Sequence, residues 1–152
     1  MFDIRQDDLS DRQTRALLAL HLAGMHASSP PGSVFALDLA GLQLPAVTVW
    51  SAWRQGQIVS IGAMKMLGHG HAEVKSMRTH PSFLRSGAGS AILDHIIAVA
   101  RSRKLGRLSL ETGSGPAFEA ALALYRTRGF VNRPPFADYA QSAFSQFLHL
   151  DL

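Results

Sequence analysis

The chain has 152 residues and contains no cysteine. It therefore forms no disulfide, offers no thiolate nucleophile and builds no zinc site with thiolate ligands. Charged residues are also sparse, at 17%, against 47% hydrophobic residues. This balance excludes a disordered chain and supplies enough apolar side chains for a packed core. Because the length suits one compact unit, we expect a single domain over residues 1–152.

Long hydrophobic runs are missing as well. No window reaches the roughly 18 consecutive apolar residues that suggest a membrane-spanning helix. Residues 1–11 are polar and acidic, whereas a signal peptide begins with basic residues and continues with apolar ones. The sequence therefore predicts a cytoplasmic protein with no membrane partner.

Positive charge is concentrated in one part of the chain. Residues 75–133 hold ten of the fifteen Lys and Arg residues and only three acidic residues, which gives this segment a net charge of +7. A local positive field of this kind suits a polyanionic ligand such as nucleic acid, a nucleotide or a phosphorylated cofactor. A solvated basic face is the simpler alternative.

Apolar, β-branched and aromatic residues between turn signals predict a series of strands in the first half of the chain. Ser10 is expected to cap a first helix, with Asp11 in its first turn, that runs to about Met25. Residues 34–45 fit either a short helix or a loop. The predicted strands cover residues 2–5, 46–53, 58–66 and 72–79, of which the last three form an antiparallel meander.

The second half of the chain changes to a helical period. Apolar residues between positions 92 and 100 form one stripe, which predicts a helix that ends before Gly106. A strand at residues 108–111, a helix from Pro116 to Arg128 with Gly129 as its C′ residue, and a last strand at residues 145–150 follow. The order predicts an α/β (α+β) mixed sheet, in which an antiparallel meander precedes a parallel strand-helix-strand unit and helices cover both faces.

The segment Leu84–Ser90 joins the meander to the helix that follows it. Backbone N–H groups at a helix N-terminus lack intrahelical partners and bind phosphate readily. Gly87 and Gly89 allow the backbone to approach phosphate oxygens closely, and Arg85 and Ser90 can add side-chain contacts. The segment lacks the lysine-bearing phosphate loop of nucleotide triphosphatases. It therefore predicts a phosphate-binding turn of another kind.

With these motifs the sequence resembles the GCN5-related N-acetyltransferase (GNAT) family, over about residues 46–130. The resemblance rests on a strand followed by Pro81, on a glycine-rich turn that opens a helix, and on a Leu-Tyr-x-x-x-Gly-Phe pattern. These features are Val74–Phe83, Leu84–Gly89 and Leu124–Phe130. Three shorter stretches resemble a bacterial subgroup of small acetyltransferases: Glu73–Met77, Leu110–Gly113 and Pro135–Tyr139.

The resemblance implies an acetyl-CoA-dependent N-acetyltransferase that acts on the amine of a small molecule or peptide. It places the thioester between the strand that ends at Thr79 and the strand at residues 108–112. Leu84 replaces the usual Gln or Arg of the family, and Phe118 replaces an Asn that contacts the cofactor in many members. The implied cofactor-binding residues are Met77, Arg78, Thr79, Leu84, Arg85, Ser86, Gly87, Ala88, Gly89 and Ser90.

The implied chemistry needs a group that takes the proton of the amine and a group that protonates the departing thiolate. Tyr125 is the candidate general acid, and its alternative role is a buried aromatic of an amphipathic helix. Glu73 is the candidate general base, either directly or through a water, and its alternative role is a structural carboxylate. Glu111 is the second candidate. The expected acceptor-binding residues are His21, Met25, Ser28, Ser29, Glu111, Phe136 and Tyr139.

Four further possibilities follow from the sequence. His69, His71 and His80 invite a metal site, but His69 lies in a turn sequence and no spacing fixes a third ligand, so we expect no metal. A catalytically silent acyl-CoA sensor with the same fold is one alternative function, and a nucleic-acid-binding module is a less favoured one. A homodimer is possible.

Overall fold

A seven-stranded mixed sheet forms the centre of the computed structural model, which describes residues 1–152. The strands lie in the order β1-β2-β3-β4-β5-β7-β6, and only the β4–β5 pair is parallel. The arrangement confirms the predicted antiparallel meander followed by a parallel strand-helix-strand unit. The strands are β1 (Asp3–Gln6), β2 (Val47–Arg54), β3 (Gln57–Gly68), β4 (His71–Thr79), β5 (Arg107–Thr112), β6 (Val131–Asn132) and β7 (Gln146–Asp151).

Four α-helices cover the two faces of the sheet. The buried apolar residues form two clusters, one between the sheet and α1 with α2, the other between the sheet and α3 with α4. No helix is both long enough and apolar enough to cross a membrane. The helices are α1 (Arg12–Ser28), α2 (Leu39–Leu42), α3 (Ala88–Ser102) and α4 (Glu119–Thr127), and short 3₁₀ turns occupy Pro81–Phe83 and Pro116–Phe118.

The ends of the helices differ in detail from the sequence prediction. Asp11, not Ser10, caps α1, because its carboxylate accepts a hydrogen bond from the Gln13 N–H at 2.7 Å. The Ser10 hydroxyl instead donates to Asp8. The helix runs three residues beyond Met25, and ends where Ser29 becomes extended before a proline. Pro116 opens a 3₁₀ turn, and α4 begins only at Glu119.

Helix α3 lies very close to the sheet at Gly62 of β3. A Cβ atom at this position would come within 2.5 Å of Ile92 Cγ2, 2.6 Å of Met77 Sδ and 3.1 Å of Ile96 Cδ1. The missing side chain lets the fully buried stripe of α3 pack against the strands, which fixes the position of the N-terminus of α3 relative to β4.

The two parallel strands part from one another in the middle of the sheet. Their pairing ends at Glu73 and Ser109, although β4 continues to Thr79 and β5 to Thr112. Beyond this point the edge of β4 has no strand opposite it. This is the opening between the strands that the family resemblance implies, and it places free backbone groups beside the start of α3.

A β-bulge lies in the part of β4 that borders this opening. Lys75 pairs with Ala63 and Arg78 pairs with Ile61, so two residues of β4, Ser76 and Met77, lie opposite the single residue Gly62. Ser76 has a φ of 57°, the left-handed conformation often found in bulges. The extra residue changes which side chains of β4 face each side of the sheet.

Candidate active site

A cavity of about 550 Å³ opens where β4 and β5 part. Its walls come from α1, the segment after α1, β4, the loop before α3, β5 and α4. Both expected catalytic residues, Tyr125 and Glu73, line it, as does Glu111. The fold thus brings together residues that are up to 52 positions apart in the sequence.

The loop before α3 forms one end of the cavity. Arg85 and Gly87 have φ values of 61° and 86°, and the first hydrogen bond of the helix runs from the Ala91 N–H to the Gly87 carbonyl. The N–H groups of the three residues between them therefore have no intrahelical partner, and no side chain caps the helix. Free N–H groups and the positive end of the helix dipole make this turn suitable for a phosphate.

Nine of the ten expected cofactor-binding residues line this cavity, including the exposed Leu84. Ser86 does not line it, because its hydroxyl donates to the Phe83 carbonyl within the loop. Gly89 lies at the base of the turn, where an added Cβ would be 3.3 Å from Thr79 Oγ1. Phe118, the other departure from the family pattern, is buried with its ring 5.5 Å from that of Phe144.

A closed polar cluster holds Glu73, which is 3% exposed. Its Oε2 atom accepts a hydrogen bond from the Tyr139 hydroxyl at 2.6 Å and from Lys75 Nζ at 3.1 Å, and Lys75 also donates to the Tyr139 oxygen at 3.0 Å. Burial and the adjacent Glu73 carboxylate raise the pKa of Tyr139, so this phenol keeps its proton. The cluster neutralises the charge of Lys75 and fixes the Glu73 carboxylate.

Glu111 has a different environment at the end of β5. It is half-buried, and burial raises its pKa, while a Ser145 hydrogen bond and Lys75 oppose this and Glu73 adds to it. A carboxyl group whose pKa is shifted towards neutrality is suited to exchange a proton at physiological pH.

Tyr125 occupies the last turn of α4 and is 7% exposed. Burial, and secondly the Glu111 charge, raise the pKa of its phenol. The hydroxyl therefore remains protonated and able to donate. Its ring packs edge-on against Phe130, at 5.9 Å between centroids, so the same residue also belongs to the core beneath α4.

His21 and Arg78 form a second polar contact in the cavity. Arg78 Nε donates to His21 Nδ1 at 3.0 Å, and Arg78 Nη2 donates to the His21 carbonyl at 3.4 Å. Burial, followed by the Arg78 charge, lowers the pKa of His21 to about 4. This imidazole is therefore neutral at pH 7, and its Nδ1 is an acceptor.

The expected acceptor residues divide into two groups. His21, Met25, Ser29 and Glu111 line the cavity. Ser28, the exposed last residue of α1, does not line it. Phe136 and Tyr139 stand behind the wall, with Phe136 buried and its ring 5.1 Å from that of Tyr139, and Tyr139 acts on the cavity through Glu73.

Sequence reasoning missed residues 33–36, which follow the C-terminal end of α1 and line the cavity. Ser33 and Phe35 line the cavity, and the Phe35 ring meets Tyr139 edge-on at 5.1 Å. This segment has no regular secondary structure, so no periodicity in the sequence could have indicated which residues face inwards.

His71, one of the histidines considered for a metal site, belongs to a chain of hydrogen bonds across the sheet. His71 Nε2 lies 2.6 Å from Ser109 Oγ, which lies 2.6 Å from His149 Nδ1, and His149 Nε2 lies 2.9 Å from the Pro134 carbonyl. This chain of hydrogen bonds links β4, β5 and β7. The structure has no group of three or more His, Cys, Asp or Glu side chains arranged to hold a metal ion.

The basic segment is partly neutralised within the protein. Arg128 pairs with Asp94 at 2.8 Å, and Arg107 and Arg133 pair with Asp151 at 2.8 and 4.0 Å. The positive residues do not form a stripe with interleaved exposed aromatic rings, the arrangement that binds single-stranded nucleic acid. The geometry thus favours the cavity as the place where an anionic ligand binds.

The parted strands, the phosphate-binding turn and the cavity between them define an acyltransferase of the GNAT type. The chain belongs to the GNAT family of acetyltransferases, whose family model matches residues 13–130.

Two bacterial relatives are similar over nearly the whole chain. The N-acetyltransferase YedL of Escherichia coli is 49% identical over 152 residues, which cover 100% of this chain and 96% of that protein. The N-acetyltransferase YsnE of Bacillus subtilis is 46% identical over 145 residues, with 95% and 96% covered. These matches agree with the bacterial subgroup indicated by the short sequence stretches.

A solved structure from Klebsiella pneumoniae, whose name assigns it to the acyl-CoA N-acyltransferases, has the same fold. It superimposes with a TM-score of 0.84 at 30% identity, and the match covers 100% of this chain and 98% of the other.

The depressed pKa of His21 predicts an acid-sensitive contribution to stability. Its pKa is 6.5 when unperturbed and about 4 in the fold, so the contribution is complete above pH 6.5. As the pH falls below that value, the unfolded chain binds a proton that the folded chain does not bind. The free energy of unfolding therefore decreases by about 3 kcal/mol by pH 4. Urea denaturation from pH 7 to 4 should show a steeper decline for the parent than for His21→Gln, whose amide oxygen can still accept from Arg78. Parallel declines would contradict the assignment of a neutral His21.

Proposed function

We propose that the chain, as one domain over residues 1–152, transfers an acetyl group from acetyl-CoA to the amine of a small molecule or peptide. The observation that carries this proposal is the opening between β4 and β5, which has a phosphate-binding turn at one end and Tyr125, Glu73 and Glu111 in the same cavity. Family membership supports the reaction class. The cytoplasmic location and the homodimer stay predictions.

The residues present fit acetyl-CoA at three points. The free N–H groups at the start of α3, with Arg85, suit the pyrophosphate. The unpaired edge of β4 beyond Glu73 suits the pantetheine arm, which can align with it as an added strand does. The Met77 N–H at the bulge is the donor proposed for the thioester carbonyl.

Acetyl-CoA supplies an acetyl thioester, and the chain supplies two proton transfers. Glu111 takes the proton from the attacking amine, because its raised pKa suits this role and no basic residue pairs with its carboxylate. As the new N–C bond forms and the C–S bond breaks, Tyr125 donates its phenolic proton to the departing sulfur. Glu73, which the sequence favoured as the base, then orients Lys75 and Tyr139 and raises the pKa of Glu111.

The cofactor assignment is tested at Gly89. Gly89→Val adds branches at the base of the turn beside Thr79 and should weaken CoA binding at least about tenfold by calorimetry, while the unfolding midpoint changes little. Gly106→Val, at an ordinary backbone position outside this cavity, is the matched control.

Binding and thiol release together distinguish the three candidate functions. Saturation by one CoA per chain with thiol release over a panel of amines supports the enzyme. Saturation without thiol release from any amine supports the sensor, and salt-dependent binding of nucleic acid alone supports the third alternative.

The role of Tyr125 is tested by Tyr125→Phe. This change keeps the buried ring and removes the proton donor, so turnover should fall about 10²- to 10⁴-fold while the affinity for CoA stays nearly constant. Single-turnover thiol release is the appropriate measurement, because it isolates the chemical step. Unchanged single-turnover rates would leave Tyr125 as a packing residue.

The two carboxylates are distinguished by the pH dependence of kcat/KM. Glu111 must be ionised to accept a proton, so activity should fall as the pH drops through a pKa above the ordinary 4.5 of a glutamate. Glu111→Gln should abolish this acidic limb and lower the plateau. Glu73→Gln should keep the limb and move it to lower pH, since Glu73 is one of the charges that raise the pKa of Glu111.

Glu119→Gln, an exposed change in the first turn of α4, is the control for these two variants. If the limb disappears in Glu73→Gln and persists in Glu111→Gln, the roles assigned to the two residues are reversed.

A further inference from the structure

Arg78 lies on the opposite side of β4 from the cofactor turn. Val74 and Met77 pack into the cluster beneath α3, whereas Arg78 reaches His21 of α1. The sequence placed Arg78 among the cofactor-binding residues. Its side chain instead borders the part of the cavity that α1 and the following segment enclose.

No acidic residue neutralises Arg78. It takes part in none of the ion pairs of the chain, and its two hydrogen bonds go to the neutral ring and the carbonyl of His21. Burial lowers its pKa, which reflects the loss of hydration, but a guanidinium remains charged at neutral pH. A partly buried cation without an anion is costly, and a bound anion removes that cost.

The Arg78 guanidinium is held by His21 and still has a hydrogen-bond donor that no protein group uses. His21 engages Nε and Nη2, which leaves Nη1 without a protein acceptor, and Nη1 is not among the side-chain atoms buried without a partner. Gly24 of α1 makes room for this position, since a Cβ there would come within 2.8 Å of Arg78 Nη2. Glycine inside a helix costs about 1 kcal/mol relative to alanine. Helix α1 is thus less stable for having a glycine at position 24, and the space that this glycine leaves holds the Arg78 guanidinium.

The other charged side chains of the cavity differ in whether they form ion pairs. Glu73 and Lys75 pair with each other, at 3.1 Å, whereas Glu111 takes part in no ion pair. The cavity therefore holds one carboxylate, Glu111, and two guanidinium groups that form no ion pair: Arg85 at the phosphate-binding turn and Arg78 beside α1. The apolar side chains of Met25 and Phe35 line the cavity as well.

We propose that the acceptor carries an acidic group, a carboxylate or a phosphate, in addition to its amine, and that Arg78 binds this group while Glu111 meets the amine. This inference rests on the proposed acetyl transfer. The planar fork of arginine matches both acidic groups. A CoA phosphate is the competing partner, but the phosphate-binding turn lies at the N-terminus of α3, on the other face of β4.

The experiment compares acceptors that differ only in the acidic group. The probes are ω-amino acids from glycine to 6-aminohexanoate, alkylamines of the same length, the corresponding aminoalkylphosphonates, and L-phenylalanine with 2-phenylethylamine. Thiol release at saturating acetyl-CoA gives kcat/KM for each probe. Calorimetry with the CoA-bound chain gives binding whether or not a probe reacts.

The parent should favour acidic probes of one preferred length at least about tenfold over the matched amines, the range of a charge-assisted hydrogen bond. Arg78→Met should bring this ratio close to one. Gly24→Ala, which keeps the arginine but displaces its guanidinium, should reduce the ratio and stabilise α1. The carboxylate and phosphonate arms identify which acidic group is preferred.

Acidic probes that neither react nor bind better than the matched amines overturn the proposal. So does an Arg78→Met variant that loses CoA affinity but keeps the ratio, since it places Arg78 at the cofactor. Arg78-dependent binding of the acids without any thiol release retains the acidic subsite and refutes the acetyl transfer instead. The two proposals therefore fail by different readouts.

Discussion

The parting of β4 and β5 after the Glu73–Ser109 pair is the constraint on which the rest of the site depends. In a strand-helix-strand unit, the connection leaves from the C-terminal end of the first strand. Helix α3 therefore begins at the end of the sheet where the strands part, with its unpaired N–H groups facing the gap. Because β5 is parallel to β4, its C-terminal residues, Glu111 and Thr112, return to the same end. Topology alone brings the N-terminus of α3 and the Glu111 carboxylate to the same end of the sheet.

Glu73 and Glu111 show how different environments give different properties to two residues of the same type. Glu73 has two donors on one oxygen and is almost completely enclosed. Glu111 is less enclosed, and loss of water is the main influence on its protonation. Their proximity adds to the difference, since the charge of the first makes ionisation of the second harder. Of the two glutamates, one is thus fixed by hydrogen bonds to its neighbours, and the other has a pKa raised by the loss of water around it.

Local signals in the sequence were sufficient for much of the fold. Turn residues and changes of period placed the meander and α3, and Gly87 and Gly89 marked the turn before α3. The partners of Glu73 could not be obtained in this way, because Tyr139 is 66 positions distant and is delivered by a loop without periodicity.

The direction of Arg78 was also hidden from the sequence. Strict alternation along β4 would put Arg78 on the same face as Val74, within the core beneath α3. The bulge at Ser76 reverses this alternation, so that Arg78 faces away from α3. Because Ser76 is not a glycine, its residue type does not indicate the positive φ that it adopts. The charge pattern of the cavity therefore depends on a backbone irregularity that composition does not encode.

The bulge also means that the two halves of β4 are out of phase when they are counted along the sequence. If the strand straightened with all of its residues kept, the Met77 thioether would turn away from α3 and the Arg78 guanidinium would enter hydrocarbon. Deleting Ser76 would instead restore an unbroken pleat and leave both side chains on their present faces. The direction of every side chain from Met77 to Thr79 therefore depends on the backbone conformation of one extra residue.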